Sequence, residues 1–162
     1  MNRINGTRGD IDNINEIVKP LLGQKAWNVK LGVGSFITME FGDSVPAERG
    51  NTHGEWYLWI YCCGWYLENP NGAFIGSEDP RDILRKEITV IEGHLLKDVV
   101  ISSIAFETNF VFERGLVLHT FPLNFIDPCE YWKLFTPNGN ILVLGPALKW
   151  SFEDSSESKL QQ

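Results

Sequence analysis

Apolar residues at Ile11, Ile14, Ile17, Val18, Leu21 and Leu22 recur at three- and four-residue spacing, the stripe of one helix face. Asp10 stands at its start, Pro20 falls in its last turn, and Gly23 follows where a C-terminal cap belongs. From Lys25 the period drops to two. Trp27, Val29, Leu31 and Val33 share one face, and Asn28, Lys30 and Gly32 the other, which predicts a strand. Phe36 to Phe41 continues as a second strand, with Gly32–Ser35 as the reversal between them. Asp43 to Gly54, polar and carrying Pro46, Gly50 and Gly54, reads as the longest loop.

Glu55 to Leu67 departs from alternation. Its odd positions carry Tyr57, Trp59, Tyr61, Cys63 and Trp65, and its even ones Trp56, Leu58, Ile60, Cys62 and Tyr66. A strand apolar on both sides belongs mid-sheet or between layers, so this run is expected to be one central strand. Asn69-Pro70-Asn71-Gly72 then makes a turn. A second helix follows, with Asp79 as cap, Pro80 at its first position, Ile83, Leu84, Ile88 and Ile91 along one face, and Gly93 closing it.

Beyond Gly93 only strands are expected: 96–106, 109–114, 116–121, 131–136, 141–144 and 148–152. Asn138-Gly139 predicts a two-residue hairpin between two of them. The class is therefore α+β, a mostly antiparallel sheet of about eight strands, curled or two-layered, with one helix at the N-terminus and one near residues 80–92. We see no internal repeat and no linker, so residues 1–152 read as one domain and 153–162 as a polar, acidic tail.

Composition narrows the function. At 162 residues a single domain buries roughly 70% of the surface its unfolded chain exposes. Aromatics make up 12%, with six Trp, which implies a large aromatic core or an adhesive face. The net charge of −7 and pI near 4.9 argue against a nucleic-acid partner, which needs a Lys and Arg footprint, and suit a basic protein partner. No apolar run reaches the length of a membrane span. Three cysteines, two of them adjacent at Cys62 and Cys63, do not form a disulfide framework, so a reducing cytoplasm is expected.

No catalytic motif stands out. Gly32-Val33-Gly34 lacks the third glycine and the following helix of a phosphate loop. His53, His94 and His119 have no partner at metal-ligand spacing, and neither metal nor cofactor is expected. Cys129, in a loop after Asp127-Pro128, reads as a small buried apolar residue more readily than as a nucleophile. Glu40 lies between apolar Met39 and Phe41 and is the one carboxylate singled out for a possible role, with His53 or His119 as its acid–base partner. Tyr57, Trp59, Tyr61 and Trp65 form a row with large area and polar tips. Either the helices cover this row, the expected outcome, or it is open to a ligand.

The segments Leu31-Gly32-Val33-Gly34-Ser35-Phe36-Ile37-Thr38-Met39-Glu40-Phe41-Gly42 and His53-Gly54-Glu55-Trp56-Tyr57-Leu58-Trp59-Ile60-Tyr61-Cys62-Cys63 resemble a family of small bacterial β-rich proteins with a glycine-serine hairpin ending in Glu-Phe-Gly and a Leu-Trp-Ile-Tyr strand. That resemblance implies no activity, cofactor or catalytic residue. In composition alone the chain is similar to the immunity proteins that neutralise bacterial toxins. The leading expectation is a non-enzymatic protein-binding module, with an immunity-like inhibitor of a basic partner as its particular form. A small-molecule-binding domain using the aromatic strand is the alternative, and a hydrolase-like enzyme with Glu40 and a histidine the third. Binding residues would be Tyr57, Trp59, Tyr61, Trp65, Glu40 and His53, and a homodimer through a sheet edge is compatible with each.

Overall fold

The computed structural model describes residues 4–5, 8–46, 50 and 52–154. Helix α1 (Arg8–Val18) continues into a 3-10 turn over Lys19–Leu21 that carries Pro20 at its start. Strands β2 (Ala26–Leu31), β3 (Ile37–Pro46) and β4 (Thr52–Ile60) follow as an antiparallel meander. β5 (Gly64–Asn69) and β6 (Gly72–Gly76) form a hairpin that leads to α2 (Arg81–Glu87) and a second 3-10 turn over Ile88–Ile91. A second meander, β7 (Leu96–Ile101), β8 (Thr108–Phe112) and β9 (Val117–Phe121), precedes β10 (Trp132–Phe135), β11 (Asn140–Leu144) and β12 (Lys149–Asp154). The two-residue β1 (Ile4–Asn5) pairs with β12.

These strands form two antiparallel sheets, one in the order β1-β12-β11-β10-β4-β3-β2 and one in the order β6-β5-β9-β8-β7. The fold is thus α+β and two-layered, with more strands than the eight expected. Alternation decides the inner faces. Ile37, Met39, Phe41, Leu58, Ile60, Leu134, Leu142 and Leu144 of the first sheet join Trp65, Leu67, Phe110, Phe112 and Leu118 of the second in a single core. The Phe110 and Trp132 rings meet edge to face across the layers, 5.5 Å apart.

An internal repeat, missed in the sequence, organises the whole molecule. In the first half Ile37, Thr38 and Met39 stand opposite Ile60, Trp59 and Leu58. In the second, Thr108, Asn109 and Phe110 stand opposite Thr120, His119 and Leu118. Each meander then hands its chain to the other sheet: β4 leads into β5 of the five-stranded sheet, and β9 leads into β10 of the seven-stranded one. The exchanged hairpins carry the repeat in letters, Trp65-x-Leu67-x-x-Pro70-Asn71-Gly72 against Trp132-x-Leu134-x-x-Pro137-Asn138-Gly139. The halves meet on a pseudo-two-fold axis, where Lys25 bridges Leu95. Both turns that enter this junction hold a glycine with positive φ, Gly23 at 92° and Gly93 at 81°, a conformation costly for other residues.

Several expected elements differ. The run 55–67 is two strands in different sheets, broken at Tyr61–Cys63, because the crossover between layers needs a sharp change of direction. Asp43 to Gly54 is largely a hairpin extension in which Val45 pairs with His53. Asp79 does not cap α2; its carboxylate accepts from Gly76 N in the preceding turn, and Pro80 occupies the N-cap. The β10–β11 loop has three residues, since Thr136 N donates to Asn140 O. Glu153 and Asp154 belong to β12, and the rest of the expected tail lies outside the described residues. No helix among the described residues is long and apolar enough to cross a membrane.

Candidate functional site

The outward side of the seven-stranded sheet carries an aromatic ladder. Tyr57 and Trp59 project from β4, Phe135 from the neighbouring β10, and Tyr61 and Phe36 complete the row. Trp59 meets Tyr57 at 5.4 Å edge-on, Phe135 at 4.8 Å and Tyr61 at 5.3 Å, stacked, and Phe36 stacks on Tyr61 at 4.5 Å. Lys133 Nζ lies 5.9 Å from the Tyr61 ring centroid, within cation–π range. Burial, and then the Tyr57 hydroxyl, push the Tyr61 hydroxyl above its ordinary pKa.

The helices do not cover this ladder. α1 packs against β7 and α2 against β2 and β6, so each helix closes a side of the sandwich, and the ladder residues stay partly exposed. The even positions of β4, Trp56, Leu58 and Ile60, supply the core instead. Trp59 Nε1 is enclosed by its neighbours and has no hydrogen-bond partner among the described residues.

Trp65 does not belong to the row. It is 1% exposed, sits in the other sheet, and donates its indole N–H to Ser35 O at 2.7 Å. Its repeat counterpart Trp132 is also 1% exposed and donates to Thr108 Oγ1 at 3.0 Å. Both are cross-layer braces.

Glu40 is buried, and both its oxygens are engaged. Gly54 N donates to Oε1 at 2.9 Å and Asn28 Nδ2 to Oε2 at 2.5 Å. A Cβ on Gly54 would lie 2.8 Å from Phe41 O and 2.9 Å from Glu40 Cβ, so a glycine is required for the strands to approach this closely. Glu40 thereby braces the irregular start of the long β3–β4 hairpin. His53 is exposed, its Nδ1 2.7 Å from Gly54 O, and helps line a groove of about 440 Å³ with Val45, Glu55, Phe135 and Asn140. His119 lies on the other sheet, its Nδ1 2.8 Å from Asn109 Oδ1, its ring stacked 4.4 Å from Tyr66, and its Nε2 3.6 Å from Glu68. Among the described residues no hydrogen bond or ion pair joins Glu40 to either histidine, and no cluster of three or more His, Cys, Asp or Glu residues is placed to hold a metal.

Sequence reasoning missed the segment that precedes Cys129. Tyr61 is followed directly by Cys62, but its counterpart Phe121 is followed by the insertion Pro122–Pro128 before Cys129. Leu123, Phe125 and Ile126 of this insertion are 61%, 60% and 96% exposed. Phe125 and Ile126 also line a smaller cavity of about 130 Å³ with Val143, Trp150 and Ser151 of the same sheet. Three solvent-facing apolar side chains in one short loop are the kind of surface that marks an interaction site. The signal was present in Leu-Asn-Phe-Ile between two prolines, but only the repeat marks it as an addition.

The insertion is anchored at its end. Cys129 is joined to Cys62, which corrects the expectation of unpaired cysteines and removes their support for a reducing compartment. The two cysteines hold equivalent places, because the sequence separation of 67 between them is also that of Trp65 and Trp132, so the bond ties one half to the other near the axis. Cys63 stays free and buried, and burial pushes its thiol up to about 12.

No protein-family model, curated protein or solved structure matches this chain.

Proposed function

We propose that the chain is a non-enzymatic protein-binding module that docks a basic protein on the outer face of the seven-stranded sheet, as an immunity-like inhibitor does. The observation that carries this reading is the exposed Leu123, Phe125 and Ile126 on an insertion that only one half possesses. Tyr57, Trp59 and Tyr61, partly exposed on the outer face of the same sheet that Phe125 and Ile126 meet at Val143 and Ser151, offer rigid contact area at low entropic cost. The acidic balance of −7 steers a basic partner toward the molecule and makes association salt-sensitive.

The test compares the intact chain with the variant Leu123→Ser/Phe125→Ser/Ile126→Ser as bait in affinity capture, followed by reconstitution with the purified captured protein. The expected result is a basic protein that binds the wild type, elutes at raised salt and binds the variant at least tenfold more weakly. Equal binding to both baits, or capture of acidic proteins insensitive to salt, overturns the reading.

A second reading rests on the groove lined by His53, Glu55 and Phe135. A small polar-aromatic ligand there would sit against Phe135 and alter Trp59 fluorescence, because the two rings are in contact. A fluorescence-silent ligand panel removes this alternative.

A further inference from the structure

The two halves protect their sheet edges differently. β2 and β7 are equivalent edge strands, and each begins at the axis with its backbone paired. Ala26 N donates to His94 O and Gly93 N to Ala26 O; Leu96 N donates to Gln24 O and Gly23 N to Leu96 O, all at 2.7–3.1 Å. Beyond the axis the edges part. On β2, Val29 N donates to the Glu92 carboxylate at 3.0 Å, and Arg81 donates to Gly32 O and Gly34 O in the turn that follows. Side chains of the second half thus occupy backbone groups that an incoming strand would need.

On β7 the place of Glu92 falls to Leu22, which has no polar group to offer. Val99 N, the counterpart of Val29 N, is met by the carboxylate of its own neighbour Asp98 at 2.8 Å. Alongside, α1 and this edge bound a groove of about 490 Å³ whose lining includes Glu16, Val18, Lys19, Leu22 and Asp98–Ile101.

We infer that this groove takes an extended peptide segment of a partner protein, added to β7 as a further strand, with apolar side chains at alternate positions and a basic residue facing Asp98 and Glu16. Strand addition draws its affinity from main-chain hydrogen bonds and its selectivity from pockets for alternate side chains. Val18 and Leu22 supply the apolar wall, and Val100, 49% exposed, supplies a cross-strand contact on the outer side. Glu16 and Asp98 outnumber Lys19, which selects a basic segment. When the basic side chain engages Asp98, Val99 N is released for strand pairing. Lys97 and the register shift between Leu96 and Asp98 blunt the edge before this point, so the accepting stretch is Asp98–Ile101, about 13 Å of strand. The net charge of −7 disfavours a second copy at this edge, whereas a basic peptide complements Glu16 and Asp98.

The probe is fluorescein-labelled Lys-Val-Lys-Val-Lys-Val amide, read by polarisation and by amide shift mapping on the full chain. Saturable binding is expected, with the largest shifts at Val99–Ile101. The same peptide N-methylated at alternate residues keeps its charge and is expected to bind at least tenfold more weakly. Leu22→Glu installs the guard of the other edge and should weaken binding at least tenfold, while Glu92→Leu removes that guard and should add a second, weaker equivalent. Equal binding of the N-methylated peptide, shifts centred outside Asp98–Ile101, absence of binding at millimolar peptide, or dimerisation of the free chain through β7 in sedimentation overturns the inference. If Leu22→Glu fails to fold, the N-methylated peptide and the shift map on the wild type decide.

Discussion

The two halves share a backbone plan and differ in what they show to solvent. At matching outward positions the first half places Tyr57, Trp59 and Tyr61, and the second Val117, His119 and Phe121. Beside them the exchanged strands set Lys133 and Phe135 against Tyr66 and Glu68. The inward positions match in kind: Met39 and Leu58 answer Phe110 and Leu118, and Trp132 answers Trp65. Packing has held the interior to one pattern while the surfaces diverged. The long β3–β4 hairpin, the 122–128 insertion and β12 set the halves apart, and the insertion carries exposed apolar residues for which the first half has no counterpart. Loops on a rigid scaffold are where binding residues concentrate, so asymmetry in a repeated fold is a guide to function.

The largest expected effect tests the shared interior. Trp65→Ala and Trp132→Ala should each cost about 3–5 kcal/mol, and denaturant unfolding should give values within about 1 kcal/mol of each other if the halves are energetically equivalent. A much smaller loss for one would show that the geometric repeat is not an energetic one. Next, Cys62→Ser/Cys129→Ser opens a covalent loop whose ends are 67 residues apart. The chain-entropy relation assigns such a loop about 4 kcal/mol, read as a lowered urea midpoint, and no change would mean that the halves hold together without the bond.

Smaller effects sharpen the contrast. Val111 holds the place of Glu40, so Glu40→Val transplants one half's residue into the other and leaves Gly54 N without its acceptor. A loss of about 1–3 kcal/mol is expected, whereas a neutral or stabilised variant would show that the long hairpin does not depend on this carboxylate. Last, Cys63 ionises near 9.0 when unfolded and near 12 when folded. The unfolded chain therefore sheds its proton first, and this contribution is complete below about pH 9 and lost as pH rises toward 12. At pH 10 the loss is about 1.4 kcal/mol, measurable as a falling unfolding free energy that Cys63→Ala abolishes. In native protein at pH 8 the thiol should not react with a disulfide reagent.

Periodicity located both helices and most strands, because alternation and helical stripes are local consequences of burying one face, but it left out β1 and β6. In the run 55–67 alternation showed apolar residues on both faces, and only the structure separates Leu58 and Ile60 as core from Tyr57 and Trp59. The break at Tyr61–Cys63 was not legible, because a chain that changes sheets stays apolar on both sides of the crossing and its letters look like one long strand. The repeat was equally hidden: apart from the two Trp-x-Leu-x-x-Pro-Asn-Gly hairpins, its identical letters are scattered, as at Gly23 and Gly93 or Val29 and Val99, and most matching positions share only polarity and register.

The sequence by itself determined the α+β class, the glycine-closed helix ends and the aromatic character of β4, all set by neighbours a few residues apart. Tertiary structure decided which aromatics are site and which are core. Trp59 and Trp65 are six positions apart on the same nominal face, yet one is partly exposed on the outer side of its sheet and the other is in the core. Their separation depends on partners far along the chain, Lys133 beside Trp59 and Thr120 beside Trp65. The same long-range pairing joins Cys62 to Cys129 and leaves Glu92 on one sheet edge but Leu22 on the other.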